Sequence, residues 1–182
     1  MPLVLMRPVA RAPRKPPGTF SVPGALAFVD SVLAGHPTGH LPRVPGRGVL
    51  YARFVLPLAL LPTTNARAHQ KPWALGAMKA KVHRMMWLQH QTIRSVPLPG
   101  RPFVRCVRFS TKEPDAFADW AKMAIDCLTM PRAPKKPGGR KKLGLGLLYD
   151  DAPKYVELAQ PWWEKVSPGY GCCLIEVFAG AT

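Results

Sequence analysis

Four polar residues recur at helical spacing in the second half of the chain. Asp115, Asp119, Lys122 and Asp126 stand at i, i+4, i+7 and i+11. On one helix they fall along a single stripe. Carboxylates at i and i+4 have Cβ atoms about 6 Å apart, near enough to share a divalent cation. A lysine on the next turn could hold a phosphate or offset a developing negative charge. A solvated charged face has the same pattern. A second pair, Asp150-Asp151, follows a β-rich run. Successive strand residues face opposite ways. One Asp could therefore join the helix carboxylates while the other turns the chain into Ala152-Pro153. An Asp-rich turn without a ligand explains the pair equally well.

The charge distribution gives these acids their interest. Residues 1–112 hold 17 Lys and Arg against one acid, Asp30, whereas residues 113–182 hold 9 bases against 9 acids. The net charge of +16 points to a polyanionic partner. A basic surface around clustered carboxylates suits metal-dependent chemistry on nucleic acid, because bases neutralise phosphates while carboxylates hold the cation.

Composition narrows the alternatives. A chain of 182 residues with 47 % hydrophobic content can bury a core as one domain. Cys106, Cys127, Cys172 and Cys173 form no C-x-x-C pair, so buried free thiols in a reducing cytoplasm are expected instead of zinc or disulfides. The longest apolar run, residues 54–62, is too short to span a bilayer, and no membrane association is expected. The N-terminus lacks the order of a secretory signal, and its prolines disfavour an amphipathic transit helix.

The elements that would position the acids follow from periodicity. Residues 1–47 read as a Pro/Arg-rich, largely irregular arm, and 48–182 as the folded domain. A short helix over 22–34 could interrupt the arm, with Ala27, Val32 and Leu33 on one side; a flexible basic tail is the preferred reading. Residues 48–56 read as a strand. Residues 72–94 form the longest helical segment, with Leu75, Met78, Val82, Met85, Met86 and Ile93 as the apolar stripe and Pro72 in the first turn. Residues 101–110 alternate: Phe103, Arg105, Val107 and Phe109 on one face, Val104, Cys106 and Arg108 on the other. A second helix over 114–129 turns Phe117, Ala121, Ala124, Ile125 and Leu128 inward. The run 131–142, with six positive charges and three prolines, is a basic loop. Strands follow at 144–151, 154–160 and 172–178, with a connection over 161–171. The fold class is α/β (α+β), a mixed β-sheet with two main helices packed on it.

Other motifs carry less. No dinucleotide fingerprint or phosphate-binding P-loop is present. His36 and His40 are separated by Pro37 and Gly39, which suits a loop better than a metal site. His83 and His90 could lie on the surface or face DNA. Trp162 and Trp163 read as core and edge, with base stacking a secondary option.

The stretches RFSTKEPDAFADWAKMAIDCL (108–128) and LGLGLLYDDAPKYVEL (143–158), with a Trp-containing connection and a last strand, resemble the RusA family of Holliday-junction resolvases. The family features are matched by Pro114-Asp115, Lys122, Asp126-x-Leu128 and Asp150-Asp151, and LPTTNAR (61–67) resembles its proline- and asparagine-bearing segment. The resemblance spans about residues 48–178, with the Asp-to-Lys spacing offset by one residue. It implies a RusA-like, Mg²⁺-dependent endodeoxyribonuclease resolving four-way DNA junctions in recombination and repair. That enzyme would be a homodimer, bacterial or phage-encoded and cytoplasmic. Asp115, Asp119 and Asp151, with Asp150 nearby, would hold Mg²⁺, and Lys122 would meet the scissile phosphate. Lys79, Lys81, Arg84, Arg105, Arg108, Lys135, Lys136, Arg140, Lys141 and Lys142 would hold the DNA backbone. Two alternatives stand beside it: a junction- or DNA-binding protein on the same scaffold with impaired catalysis, and a basic RNA- or ribosome-associated structural protein.

Overall fold

The computed structural model describes residues 20–35, 48–61, 72–91, 96–114, 120–133 and 143–180. Its order is α1 (Val22–Gly35), β1 (Leu50–Pro57), a 3₁₀ turn (Leu58–Leu60), α2 (Pro72–Gln89), β2 (Phe103–Ser110), α3 (Lys122–Leu128), β3 (Glu157–Leu158), β4 (Trp162–Lys165) and β5 (Cys172–Phe178). The fold is α+β, as expected: a mixed five-stranded sheet with helices on both faces. β5 lies between β1 and β2, antiparallel to both, and β3 and β4 run parallel to β2 along its other edge.

Strand alternation divides the core in two. Ala52, Phe54, Leu56, Val104, Cys106, Cys173, Ile175 and Val177 face α2 and α3, where Val82, Met86 and Leu128 pack. Val55, Val107, Phe109, Cys172 and Leu174 face α1. All seven β5 residues are buried, as a central strand covered on both faces requires. The four cysteines are buried and take part in no disulfide, and burial pushes the Cys173 thiol upward, away from thiolate reactivity. No helix among the described residues is long and apolar enough to cross a membrane.

Several expectations change. Residues 22–35 are not a flexible tail but a helix on the sheet. Ser21 caps it, its Oγ accepting from the Gly24 N–H at 3.2 Å. Its inward residues are Ala25 and Val29, with Val32 and Leu33 partly buried, while Ala27 is exposed. The second helix is shorter than 114–129: Trp120 and Ala121 are not helical, and 115–119 lie outside the described residues. β4 occupies part of the expected 161–171 connection, and β3 is only two residues long.

Residues 144–151 do not form a strand. They satisfy the orphan carbonyls at the end of α3. The N–H groups of Leu145, Gly146 and Leu147 donate to the carbonyls of Cys127, Thr129 and Leu128 at 2.8, 3.1 and 2.9 Å. Glycine permits the approach: a Cβ on Gly144 would lie 2.0 Å from the Thr129 carbonyl oxygen, and Gly146 adopts φ 76°. This docking brings Asp150-Asp151 to the exposed side of α3.

The free edge of β1 is closed by side chains. Gln89 Nε2 donates to the Val55 carbonyl and Gln89 Oε1 accepts from the Val55 N–H, both at 2.9 Å. His90 Nε2 lies 2.8 Å from the Arg53 carbonyl oxygen and 3.2 Å from its amide nitrogen, so either tautomer finds a partner there. Its ring packs on Phe54 at 4.4 Å between centroids. The carboxamide thus stands where a neighbouring strand's amide would, and the edge is blocked against pairing. Gln89→Ala is expected to cost about 1–3 kcal/mol by leaving the Val55 groups unsatisfied. An unchanged urea midpoint would show that the clamp contributes nothing.

Candidate functional site

Lys122 and Asp126 occupy the only outward face of α3, because Met123, Ala124, Ile125, Cys127 and Leu128 are all buried. They meet as an i, i+4 ion pair at 3.2 Å. Lys122 Nζ also donates to Asp151 Oδ2, delivered by the segment docked on the end of α3. From α2, Lys79 Nζ donates to Asp126 Oδ2 at 2.7 Å. Asp150 Oδ1 accepts from the Asp151 N–H at 2.8 Å, and its Oδ2 pairs with Arg132 at 2.7 Å. The result is an alternating row: Lys79, Asp126, Lys122, Asp151, then Asp150 and Arg132.

The protonation states follow from this geometry. Burial works against the charge on Lys122, but its bonds to Asp151 and Asp126 prevail and hold its pKa above the ordinary lysine value. Burial likewise works against ionised Asp126, yet the Lys79 hydrogen bond, with the charges of Lys79 and Lys122, holds its carboxyl below the usual range. The Arg132 hydrogen bond and the Asp151 N–H lower Asp150 to about 2. The row thus sets three basic side chains against three carboxylates.

The lowered Asp126 predicts an acid-labile latch between α2 and α3. A carboxyl with a depressed folded pKa contributes fully above its unfolded value, near 3.9, and loses that contribution as pH falls through the folded value. Asp126→Asn is expected to cost about 1 kcal/mol at pH 7, with the difference from wild type shrinking as the pH falls below the ordinary carboxylate value. A thermal-melting difference that persisted unchanged at pH 3 would contradict the assignment.

The structure brings together Lys79, Lys122, Asp150 and Asp151 of the expected site. Asp115, Asp119, Lys135, Lys136, Arg140, Lys141 and Lys142 lie outside the described residues. The single-helix stripe is interrupted at Trp120-Ala121. Lys81 and Arg84 are exposed on α2. Arg105 and Arg108 do not have the expected exposure. Arg108 is buried, donates to the Leu61 carbonyl at 2.8 Å and lies over Trp120. Arg105 is bound to the Glu176 carboxylate at 2.5 Å. His90 faces β1 instead of DNA. Trp163 Nε1 donates to Ser110 Oγ at 3.0 Å, and Trp162 packs toward α1.

Arg132, Arg53 and Glu176 were not singled out by sequence. Arg132 opens the basic run, and Glu176 is the lone acid in the otherwise apolar CCLIEVF, which is the signature of a buried charge with a partner. Among the described residues no group of three or more His, Cys, Asp or Glu side chains is gathered as a cation site. Comparison with protein-family models, curated proteins and solved structures finds no match.

Proposed function

We propose that this chain is a metal-dependent endonuclease of the RusA type that resolves four-way DNA junctions in recombination and repair. The observation that carries the reading is Lys122, held between Asp126 and Asp151 with Asp150 alongside, on a chain of net charge +16. Carboxylate oxygens are hard donors, and Mg²⁺ is commonly bound by one or two carboxylates with waters and substrate phosphates completing its shell. Asp150 and Asp151 fit that pattern, and Asp115 and Asp119 belong to the same expected set. Bound there, Mg²⁺ would polarise a phosphoryl oxygen and lower the pKa of a bound water.

The chain's own groups supply the rest. The Lys122 ammonium, 44 % exposed at its side chain, is placed to turn from Asp126 toward a phosphate oxygen, because Lys79 still neutralises Asp126 afterwards. Lys81 and Arg84 on α2, with the basic run after Arg132, would contact the DNA backbone without reading sequence. By the same resemblance the acting form is a homodimer cutting one strand per subunit, in a bacterial cytoplasm and encoded by a bacterium or phage.

A second reading has a specific observation behind it. Asp126, Asp150 and Asp151 are all neutralised by cations of the chain itself, as suits a junction-binding protein without catalysis. A synthetic four-way junction incubated with and without Mg²⁺ separates the two. Symmetric nicks that require the metal support the nuclease; tight binding with intact strands in both conditions supports the binding protein.

A further inference from the structure

We infer that Tyr149 is a stacking platform for one nucleobase beside Asp150 and Asp151, with Tyr155 and Lys154 as its support. The inference rests on the nucleic-acid reading above and adds to it a base-binding position and the residues that make it. Tyr149 is 59 % exposed. Its ring centroid lies 4.8 Å from that of Tyr155, at an interplanar angle of 46°. Lys154 Nζ stands over the Tyr155 ring, 4.7 Å from its centroid. A tight turn makes these contacts. The N–H groups of Tyr155 and Val156 both donate to the Ala152 carbonyl, at 2.8 and 3.3 Å. Val156 is buried, and the Glu157 N–H donates to the Pro102 carbonyl at 2.9 Å, so the turn is fixed beside the start of β2.

The ring, a cation and the carboxylates thus lie on one short segment whose contacts hold it in shape. Tyr149 directly precedes Asp150, and adjacent Cα atoms are about 3.8 Å apart, close to the ~3.4 Å that one nucleotide advances along a DNA strand. A nucleotide whose phosphate lies at Lys122 and the Asp150-Asp151 pair therefore brings its own base, or its neighbour's, within reach of the Tyr149 ring. Lys122 and Arg132 are already paired with these acids. Lys154 is exposed and has no carboxylate partner among the described residues, so its charge is available to a flanking phosphate. An open aromatic ring beside an unpaired cation is the combination that binds unstacked bases without reading sequence. One exposed ring is also the size of one base, whereas a protein partner would need a patch burying about 1,000 Å².

Fluorescence anisotropy of a labelled oligothymidylate, and of an equal-length oligomer with abasic sites, tests the platform. Tyr149→Leu keeps apolar bulk against Tyr155 and removes the aromatic face. It is expected to weaken oligothymidylate binding on the order of tenfold and to leave the abasic oligomer unchanged. Tyr149→Phe should retain most of the affinity. Lys154→Met should weaken both oligomers alike and lower the salt dependence by about one released counterion. Equal effects of Tyr149→Leu on both oligomers would reduce the ring to holding the Asp turn, and no effect on either would remove it from DNA binding; both results overturn the inference. Junction cutting is scored separately. Tyr149-dependent base binding without cutting would leave the platform and remove the nuclease; cutting without that dependence would do the reverse.

Discussion

Glu176→Ala is expected to destabilise the protein by about 3–5 kcal/mol, the cost of breaking a buried ion pair from one side. The carboxylate is 1 % exposed in the central strand. Its register partners are Arg53 on β1 and Arg105 on β2, both on the α1 face of the sheet. Arg53 donates to Oε1 through Nε at 3.0 Å and Nη2 at 2.7 Å, while Arg105 donates to Oε2 through Nε at 2.8 Å and Nη2 at 2.5 Å. Each oxygen thus serves one guanidinium, and both strands beside β5 are tied through one side chain. Arg53 reaches on to Asp30 of α1 at 2.6 Å, which joins the helix to the same network. Asp30 is exposed and cannot replace a desolvated carboxylate. In a chain of this length the loss corresponds to a melting shift of roughly 10 °C.

The expected result depends on the partners, which makes it specific. In an Arg53→Met, Arg105→Met background, Glu176→Leu should cost little or be stabilising, because an apolar replacement of the whole cluster leaves no charge stranded. Urea midpoints for the single, double and triple variants measure this. A loss below about 1 kcal/mol for Glu176→Ala alone, against the expectation for a buried pair, would mean that the network contributes little to stability.

The sheet was more legible than the site. β1, β2 and β5 follow from β-branched and aromatic runs, and the alternation at 103–109 placed each side chain on its correct face. The apolar stripe of α2 identified Val82 and Met86, which are fully buried. α1 carried a signal in Ser21 followed by Pro23, a cap and a first-turn proline, but the proline-rich surroundings obscured it. At 120–121 periodicity misled, because Ala and Trp fit a helical stripe whether or not the backbone is helical, and Ala121 provides no side-chain cap. At 144–148 the alternating Leu and Gly suggested a strand. Gly144 and Gly146 instead mark a close approach and a positive φ, and the segment caps α3. Lys79 with Asp126, Arg132 with Asp150, and Arg53 and Arg105 with Glu176 are long-range pairs set by the packing of α2, the end of α3 and strand register. Local spacing alone does not determine them.

The most direct test of the proposed chemistry is Asp151→Asn, expected to lower kcat for junction cleavage by roughly 10²–10³ with little change in Kd for the junction. The substitution keeps the shape of the side chain and an oxygen that can still accept from Lys122, but it removes the negative charge. The backbone contacts proposed for Lys81, Arg84 and the basic run would not depend on that charge, so binding and cutting should separate. Lys122→Met probes the other half of the pair. It frees Asp151 while leaving Asp126 paired with Lys79 at 2.7 Å, so α3 keeps its attachment to α2 and the fold is preserved. If Lys122 meets the phosphate during cleavage, this variant also loses kcat, and the double variant loses less than the sum of the two because both act on one charge arrangement. If Lys122 only neutralises Asp151 in the resting protein, Lys122→Met should bind Mg²⁺ more tightly than wild type and cut at least as well. Calorimetric Mg²⁺ binding beside single-turnover cleavage distinguishes these roles. Full cleavage by Asp151→Asn would remove Asp151 from the catalytic set.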